Sequence, residues 1–373
     1  MNEAVSNLFG HEALATETLI ILYIAFTFFA AGIGVVVILF GSRLVKTYYE
    51  GRSQDLSRKL QGVLNSIIVN AAANENAVPD PAFQFHLQQI ELLVTGSDYR
   101  KQLLINQLIR LKKNLTGASA DSLRVIYQKL SLHKVSLKGL KTFRWFNKAR
   151  AMRELSEMGV RQSAPLMAPY LRSRNSALRE EAFISMANLT ADQPLEFLDD
   201  YKFAITDWMQ LNVYNVLQRT DTRDLPDFSR WFMHTNKSVR LFAIRMAAQF
   251  RQYQAAGSLR ELLSDPDPDV QYQSMKAVAD LELDQLVDDV LKLKAIAWKN
   301  PELAKIVVKY FGRVVLTPQT ENVLREFMSH EDYAVRFEAT SSLLRNSSLG
   351  LSSGDLGEKS QRIIRHLSEP LLK

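Results

Sequence analysis

A polar turn followed by an apolar helical face recurs along the second half of this sequence. Each copy opens on Asn or Asp and carries an aliphatic residue within the next five positions. The aligned aliphatic residues are Leu178, Val239, Val270, Leu303 and Val335. Their separations are 61, 31, 33 and 32 residues, and 61 is close to two periods with one degenerate copy between. Such a period predicts a solenoid, because one helix pair cannot bury its apolar face without stacked neighbours.

The region before the repeats also favours helices. Apolar residues follow i, i+3, i+4 spacing over Phe83–Leu93, Tyr99–Leu115, Ala120–Leu132 and Phe143–Met158. No sustained alternation with hairpin turns appears in the sequence. We therefore expect an all-α chain.

The stretch Leu19–Phe40 contains no charged residue. As a helix it would extend about 33 Å, which exceeds a hydrocarbon core of about 30 Å. Residues 1–18 contain no Lys or Arg, whereas Arg43, Lys46, Arg52, Arg58 and Lys59 follow the stretch. The positive-inside rule then predicts a single transmembrane helix with its N-terminus outside and the remaining chain in the cytoplasm.

Motifs for catalysis or metal binding are missing from the sequence. Cysteine is absent, which excludes disulfides and thiolate metal sites. No histidine pair has the i, i+4 spacing of a zinc helix. His234 and His330 both precede a repeat valine by five residues, which favours a structural role in the turn. The acidic run 265–269 lacks the glycine and glutamate of a calcium loop and is expected to cap a helix. We therefore expect no cofactor, no metal and no enzymatic activity.

Positive charge is concentrated in residues 100–153. This stretch has 14 Lys or Arg and one acidic residue, a net charge of +13, whereas the other 32 basic and 39 acidic residues leave −7. One sign of charge over four helices predicts attraction of an acidic partner: anionic lipid, an acidic protein face or nucleic acid. The candidate partner- or lipid-binding residues are Lys112, Lys113, Lys134, Lys138, Lys141, Arg144, Lys148 and Arg150.

Aromatic residues alternate with basic ones in part of this stretch. Phe143, Trp145 and Phe146 lie among Lys141 and Arg144. This composition suits a segment at a membrane interface. The spacing is more typical of core residues, and we expect the aromatic side chains to be buried.

The repeats resemble the HEAT/armadillo-like class. The residues that carry the resemblance are the turn Asn or Asp, the aliphatic residues Leu178, Val239, Val270 and Val335, and the arginines that follow three of them, Arg179, Arg240 and Arg336. Gln271 and Ala304 replace the arginine in two copies, so a ladder of Asp–Arg contacts is expected to be broken there. The class consists mainly of binding scaffolds, which implies a protein partner.

The predicted architecture is a single N-terminal transmembrane helix followed by a HEAT-like α-solenoid. We expect an extracytoplasmic N-terminus over 1–18, the membrane helix over 19–40, a juxtamembrane helix and linker over 41–82, a basic helical section over 83–149, repeats over 150–345, and a loop with a C-terminal helix over 346–373. This layout is similar to that of bacterial membrane-anchored HEAT proteins, some of which accompany envelope glycosyltransferases.

The leading hypothesis is a scaffold for protein–protein interaction, anchored in the cytoplasmic membrane and docking an envelope-associated complex. Two alternatives remain open: a nucleic-acid-binding protein that resembles HEAT-like DNA glycosylases, and a lyase of the HEAT-repeat type. We expect neither a small-molecule partner nor a nucleic acid in the leading case.

Overall fold

The computed structural model describes residues 2–73, 81–190, 195–219, 225–346 and 362–363, and every regular element in these ranges is helical. The chain divides into two compact units, one ending at Thr142 and the other beginning at Phe143. The all-α prediction is confirmed. The α-helices are α1 (Asn2–Ala73), α2 (Pro81–Val94), α3 (Asp98–Lys112), α4 (Gly117–Lys129), α5 (His133–Leu140), α6 (Trp145–Glu157), α7 (Ala164–Met167), α8 (Ser176–Leu189), α9 (Asp207–Leu217), α10 (Lys237–Gln249), α11 (Ala256–Leu262), α12 (Pro268–Leu281), α13 (Val287–Lys292), α14 (Lys294–Lys299), α15 (Pro301–Phe311), α16 (Pro318–Phe327) and α17 (Tyr333–Asn346).

The first unit is built around the C-terminal third of α1, which packs against α2, α3 and α4. Leu60, Leu64 and Ile67 lie on one side of α1 and are buried, as their helical spacing predicts. The Gln107 side chain in α3 donates a hydrogen bond to the Ser57 carbonyl at 2.9 Å. The amphipathic segment after the predicted membrane span is therefore part of the packed first unit.

The predicted membrane span lies in the N-terminal part of α1. Where the structure describes side chains, no helix combines the length and the apolarity required to cross a membrane, so the predicted span is not supported. The described side chains do not include the whole predicted span. Six of the 22 side chains of the span, those of Leu19–Leu22, Ile24 and Ala25, lie outside them. The described large apolar side chains of the span, among them Phe28 and Ile38, are exposed.

The helix boundaries before the repeats agree with the sequence pattern to within three residues. One helix, α5, is absent from the prediction. Its eight residues bury only Ser136 and Leu140, so it leaves little apolar periodicity in the sequence. A short helix of this kind depends on packing rather than on its own propensity.

The second unit contains the repeats, each formed by a short first helix or 3-10 turn and a longer second helix. The second helices stack in order: α6 packs against α8, α8 against α9, α10 against α12, α12 against α15, and α15 against α17. The degenerate copy inferred from the 61-residue gap is α9. Its Met209 is buried, 31 residues after Leu178 and 30 residues before Val239.

A capping side chain begins each second helix from α8 onward. The side-chain oxygens accept backbone N–H groups two or three residues later, which satisfies donors that the first helical turn leaves open. The caps are Asn175, Thr206, Asn236, Asp267, Asn300 and Asp332. The acidic run 265–269 is thus the start of α12, with Asp267 accepting from the Asp269 amide at 2.9 Å. The recurring Asn or Asp, replaced by Thr206 in α9, therefore sets where these helices begin.

The predicted C-terminal loop and helix lie largely outside the described residues. Helix α17 continues to Asn346, where the loop is predicted to begin. Of the C-terminal helix predicted within 346–373, only Arg362 and Ile363 are described; both are helical, and Ile363 is buried.

Candidate functional site

A groove with a cavity of about 630 Å³ crosses the second helices of three consecutive repeats, α12, α15 and α17. Its lining combines aromatic and aliphatic side chains with charged ones. It is lined by Tyr272 from α12, by Glu302, Lys305, Ile306 and Lys309 from α15, and by Tyr333, Ala334, Phe337 and Glu338 from α17.

The lining residues occupy fixed positions relative to the helix caps. Counted from Asn300, the lining residues of α15 stand two, five, six and nine positions later. Phe337 stands five positions after Asp332, and Tyr272 stands five positions after Asp267. Positions five and nine of a helix share one side, because they are one turn apart. We call the side of the second helices formed by positions two, five, six and nine after the cap the groove face.

The groove face extends to α9, where it exposes two large apolar side chains. Trp208 and Leu211 stand two and five positions after Thr206, and both are exposed. Exposed apolar residues at matching repeat positions form an extended surface rather than scattered single residues. Trp208 and Leu211 are absent from the predicted site, although their constant offset from the capping Asn, Asp or Thr is a signal that could have identified them.

The acidic residues of the groove are neutralised by cations on their own helices. Glu302 accepts a bond from Lys305 at 2.7 Å, and this bond raises the pKa of the Lys305 ammonium. Glu338 faces Arg345 at 3.4 Å. Lys309 is exposed and has no acidic partner among the described residues. The groove therefore keeps an uncompensated positive charge beside its aromatic side chains.

The predicted basic patch is divided between the two units. In the first unit, Lys112 and Lys113 lie at the end of α3, and Lys134, Lys138 and Lys141 lie on or just after α5. All except the half-buried Lys112 are exposed. The Lys138 ammonium lies 3.0 Å from the Asp98 carboxylate.

In the second unit, the basic residues of the patch lie at the start of α6. Arg144 is the residue before α6, the Lys148 ammonium lies 5.2 Å from the centre of the Tyr170 ring, and Arg150 lies 3.5 Å from the Glu154 carboxylate. The binding role of both groups stays a prediction.

The aromatic residues beside this basic group are exposed, contrary to the expectation that they lie in the core. The exposed fractions of Phe143, Trp145 and Phe146 are 101%, 48% and 48%. The apolar side of α6 that packs inward consists instead of Ala151, Met152 and Leu155. The spacing of apolar residues predicts which face of a helix is apolar, but it does not predict which of two apolar stretches packs against a neighbouring helix.

The aligned aliphatic residues Leu178, Val239, Val270, Leu303 and Val335 are all buried. The arginines that follow three of them tie each second helix to the turn before it. Arg179 donates to the Ser173 carbonyl and Arg336 to the His330 carbonyl, each at 2.7 Å. Arg240 donates to the Phe232 carbonyl at 2.8 Å.

Gln271 takes over the local bond of the missing arginine. Its side chain donates to the Leu263 carbonyl at 2.8 Å, eight residues earlier in the chain, as Arg240 does in the preceding repeat. Gln271 carries no charge. Arg240 also forms an ion pair with Asp265 of the next repeat, and both side chains are largely buried. Ala304 is buried and cannot make either contact.

The two equivalent histidines form the same bridge in two repeats. Nδ1 of His234 accepts the Asn236 amide at 2.9 Å, and Nε2 lies 3.0 Å from the Asp199 carbonyl. Nδ1 of His330 accepts the Asp332 amide at 3.0 Å, and Nε2 lies 3.0 Å from the Trp298 carbonyl.

A backbone amide only donates, so Nδ1 accepts and Nε2 carries the proton in both rings. Each ring therefore joins the turns of two adjacent repeats, which supports the structural role. Within the described ranges, no group of three or more His, Asp or Glu side chains could hold a metal ion.

Comparison with known proteins identifies the repeat unit. Residues 229–300 match the family described as HEAT repeats. No curated protein matches the sequence. Among solved structures, the chain is similar to two engineered proteins. The first is 14% identical with a TM-score of 0.32, and the match covers 75% of this chain and 71% of that chain. The second is 15% identical with a TM-score of 0.24, and the match covers 69% of this chain and 95% of that chain.

A mutant of Kap121p is also similar, at 12% identity with a TM-score of 0.34. That match covers 80% of this chain and 36% of the Kap121p chain. Superpositions this loose carry no argument about function. Residues 229–300 match the HEAT-repeat family, and capped helices recur at the same interval on both sides of this segment, consistent with a HEAT/armadillo-like repeat protein.

Proposed function

We propose that this chain is a non-enzymatic scaffold that binds a protein partner on the groove face of its repeats. The observation that carries the proposal is the groove across α12, α15 and α17, in which Tyr272, Tyr333 and Phe337 stand beside lysines. Aromatic residues dominate the binding energy of protein interfaces, because they bury a large area with few rotatable bonds. A stack of repeats provides such a surface without disturbing its own core.

Membrane anchoring is a second part of the proposal. It is supported by the uncharged stretch Leu19–Phe40, by the exposure of its described apolar side chains, and by the basic residues that follow it. In this arrangement the N-terminus lies outside, and the repeats lie at the cytoplasmic face. An envelope-associated complex such as a glycosyltransferase is then the first partner to test.

The basic residues of the patch would contact anionic lipid or an acidic partner close to the membrane. Each suitably placed Lys or Arg contributes about 1 kcal/mol of attraction to an anionic leaflet. The exposed Phe143, Trp145 and Phe146 beside Arg144 support this proposal, because aromatic rings favour the membrane interface. Replacing Lys138, Lys141, Arg144 and Lys148 with Glu should weaken sedimentation of the full chain with anionic vesicles. Unchanged sedimentation would remove the patch from the proposal.

The scaffold proposal is tested by co-purification of the full chain with and without an intact groove. Tyr333→Ala removes a ring that is 57% exposed in the groove, and Tyr253→Ala removes one that is 54% exposed away from the groove face. The same partner should co-purify with the wild type and with Tyr253→Ala but be depleted from Tyr333→Ala. Equal recovery with both variants would contradict binding in the groove.

The anchor is tested by protease treatment of oriented membrane vesicles. The repeats should be degraded when the protease is added to the cytoplasmic face, while residues 19–40 remain with the membrane. Protection of the repeats, or release of the whole chain by alkaline carbonate, would refute the anchored topology.

A further inference from the structure

A row of basic residues runs along the groove face through three consecutive repeats. Arg245, Lys276 and Lys309 each stand nine positions after the cap of their helix, the caps being Asn236, Asp267 and Asn300. Because α10 packs against α12 and α12 against α15, residues at the same position of these helices occupy neighbouring places on one side of the stack. We call these three residues the basic row.

An apolar row accompanies the basic row one helical turn away. The residues five positions after the cap are Leu211, Leu241, Tyr272 and Phe337 in α9, α10, α12 and α17, whereas α8 and α15 carry Glu180 and Lys305 there. Positions five and nine are separated by four residues and share one helix side. Tyr272 and Phe337 line the groove together with Lys309. The groove face therefore presents apolar side chains and positive charges in parallel.

The basic row is mostly uncompensated. Lys276 and Lys309 are exposed and have no acidic partner in the described part of the chain. Arg245 donates to the Gln210 side chain at 2.5 Å, and the one carboxylate near it among the described residues, that of Asp207, is 3.7 Å away and 96% exposed. The row thus retains positive charge for a ligand.

The spacing of the row matches an extended polypeptide. Neighbouring packed helices lie about 8–10 Å apart. A strand rises about 3.3 Å per residue, and a polyproline II helix rises about 3.1 Å per residue with three residues per turn. One repeat therefore corresponds to about three residues of an extended ligand. In the polyproline II form, every third side chain also lies on the same edge.

We infer that the groove face binds an extended acidic segment of a protein, with an acidic residue at about every third position and apolar side chains between. The acidic residues would meet the basic row, and the apolar ones would meet the apolar row. This inference depends on the proposed function, because it specifies the partner of the same groove. A polyanion with a phosphate at every unit fits less well, because the basic row supplies one cation per repeat and the apolar row beside it cannot pair with phosphates.

The test uses a fluorescent peptide that repeats Asp-Leu-Pro, which favours the polyproline II form and places its aspartates on one edge. Fluorescence anisotropy with the full chain should show binding that weakens with added salt. A peptide that repeats Asn-Leu-Pro should bind much more weakly. Reversing two charges of the basic row should weaken binding about tenfold, because each lost attraction is replaced by a repulsion.

The variant Lys276→Glu/Lys309→Glu carries that reversal on the groove face. The matched control is Lys299→Glu, an exposed lysine of α14 outside the groove face, and it should leave binding unchanged. Equal effects of both changes, or tighter binding of an oligothymidine than of the Asp-Leu-Pro peptide, would overturn the acidic-segment inference.

The same variants separate this inference from the scaffold proposal. Loss of the cellular partner from Tyr333→Ala but not from Lys276→Glu/Lys309→Glu, together with no peptide binding, would refute the acidic segment and leave the scaffold standing. Recovery of the partner by every variant would refute both. The replaced lysines are exposed and have no acidic partner in the ranges that the structure describes, so the variants should unfold at the wild-type temperature, and circular dichroism checks this.

Discussion

Replacement of His330 by alanine should destabilise the C-terminal repeats. The His330 ring accepts the Asp332 amide through Nδ1 and donates to the Trp298 carbonyl through Nε2, each at 3.0 Å. The ring is buried, and its centre lies 5.0 Å from that of Trp298 in an edge-to-face contact. Alanine removes both hydrogen bonds and the ring contact.

The expected cost can be compared with that of the equivalent residue His234. Leaving buried polar groups without partners costs about 1–3 kcal/mol, and an aromatic contact adds about 0.5–1.5 kcal/mol. His330→Ala should therefore cost about 2–4 kcal/mol. His234 makes the same two bonds but is only half-buried, so His234→Ala should cost about 1–2 kcal/mol.

Urea unfolding measures the global effect, and amide hydrogen exchange measures the local one. A loss of about 2 kcal/mol should speed exchange of the Asp332 amide about thirtyfold if exchange follows opening of this turn. His330→Asn keeps an acceptor near the Nδ1 position and should protect this amide better than alanine does. His330→Gln places a donor near the Nε2 position and should recover mainly the bond to Trp298.

The bridging role would be refuted if His330→Ala left the urea midpoint and the exchange rate unchanged. A larger loss of stability from His234→Ala than from His330→Ala would also refute the bridging role, because the two histidines make equivalent hydrogen bonds and differ in burial. Added zinc should change neither the urea midpoint nor the exchange rate, because both ring nitrogens already form hydrogen bonds with backbone groups of the turns.

Three further perturbations test other contacts of the repeats. Arg240→Ala should cost about 2–4 kcal/mol in urea unfolding, because it leaves a largely buried carboxylate without its cation. Gly312→Ala should cost about 1–3 kcal/mol in urea unfolding, because the new Cβ would overlap the Ser342 side chain and lie 3.1 Å from the Ser342 Cα. Adding Ser342→Gly should restore part of this loss, and additive losses from the two changes would contradict the close approach. The bond from Lys292 lowers the pKa of the Asp289 carboxylate in the folded protein. This carboxylate therefore contributes stability above its unfolded-state pKa, and the contribution is lost as the pH falls through the lower pKa of the folded state. Asp289→Asn should make the urea midpoint less sensitive to pH below about 4.

Much of the repeat architecture could be predicted from the sequence because its signals are local. An Asn or Asp cap, followed by a buried aliphatic residue three positions later, fixes where a helix begins and which side packs. The 61-residue gap was sufficient to infer a copy between Leu178 and Val239, although Thr206 and Met209 replace the usual residues there. The same register would have aligned Arg245, Lys276 and Lys309 before any coordinates were seen.

Other features depend on contacts that no local pattern specifies. The substitution of Gln271 for arginine removes a charge, yet the side chain still reaches a carbonyl of its turn, and only the packed geometry shows this. Helices α15 and α17 approach so closely at Gly312 that no side chain fits there. The sequence does not reveal this close approach, because a glycine at a helix end is common.

The sequence by itself determined the all-α class, the repeat period and the starts of the second helices, because helix caps and apolar periodicity are set by residues only a few positions apart. Only the tertiary structure decided which apolar residues lie in the core. Phe143, Trp145 and Phe146 have the spacing of core residues but are exposed, because α6 meets its neighbour through Ala151, Met152 and Leu155. The groove itself is also a tertiary property, since its sides come from helices about thirty residues apart that become neighbours only when the repeats stack.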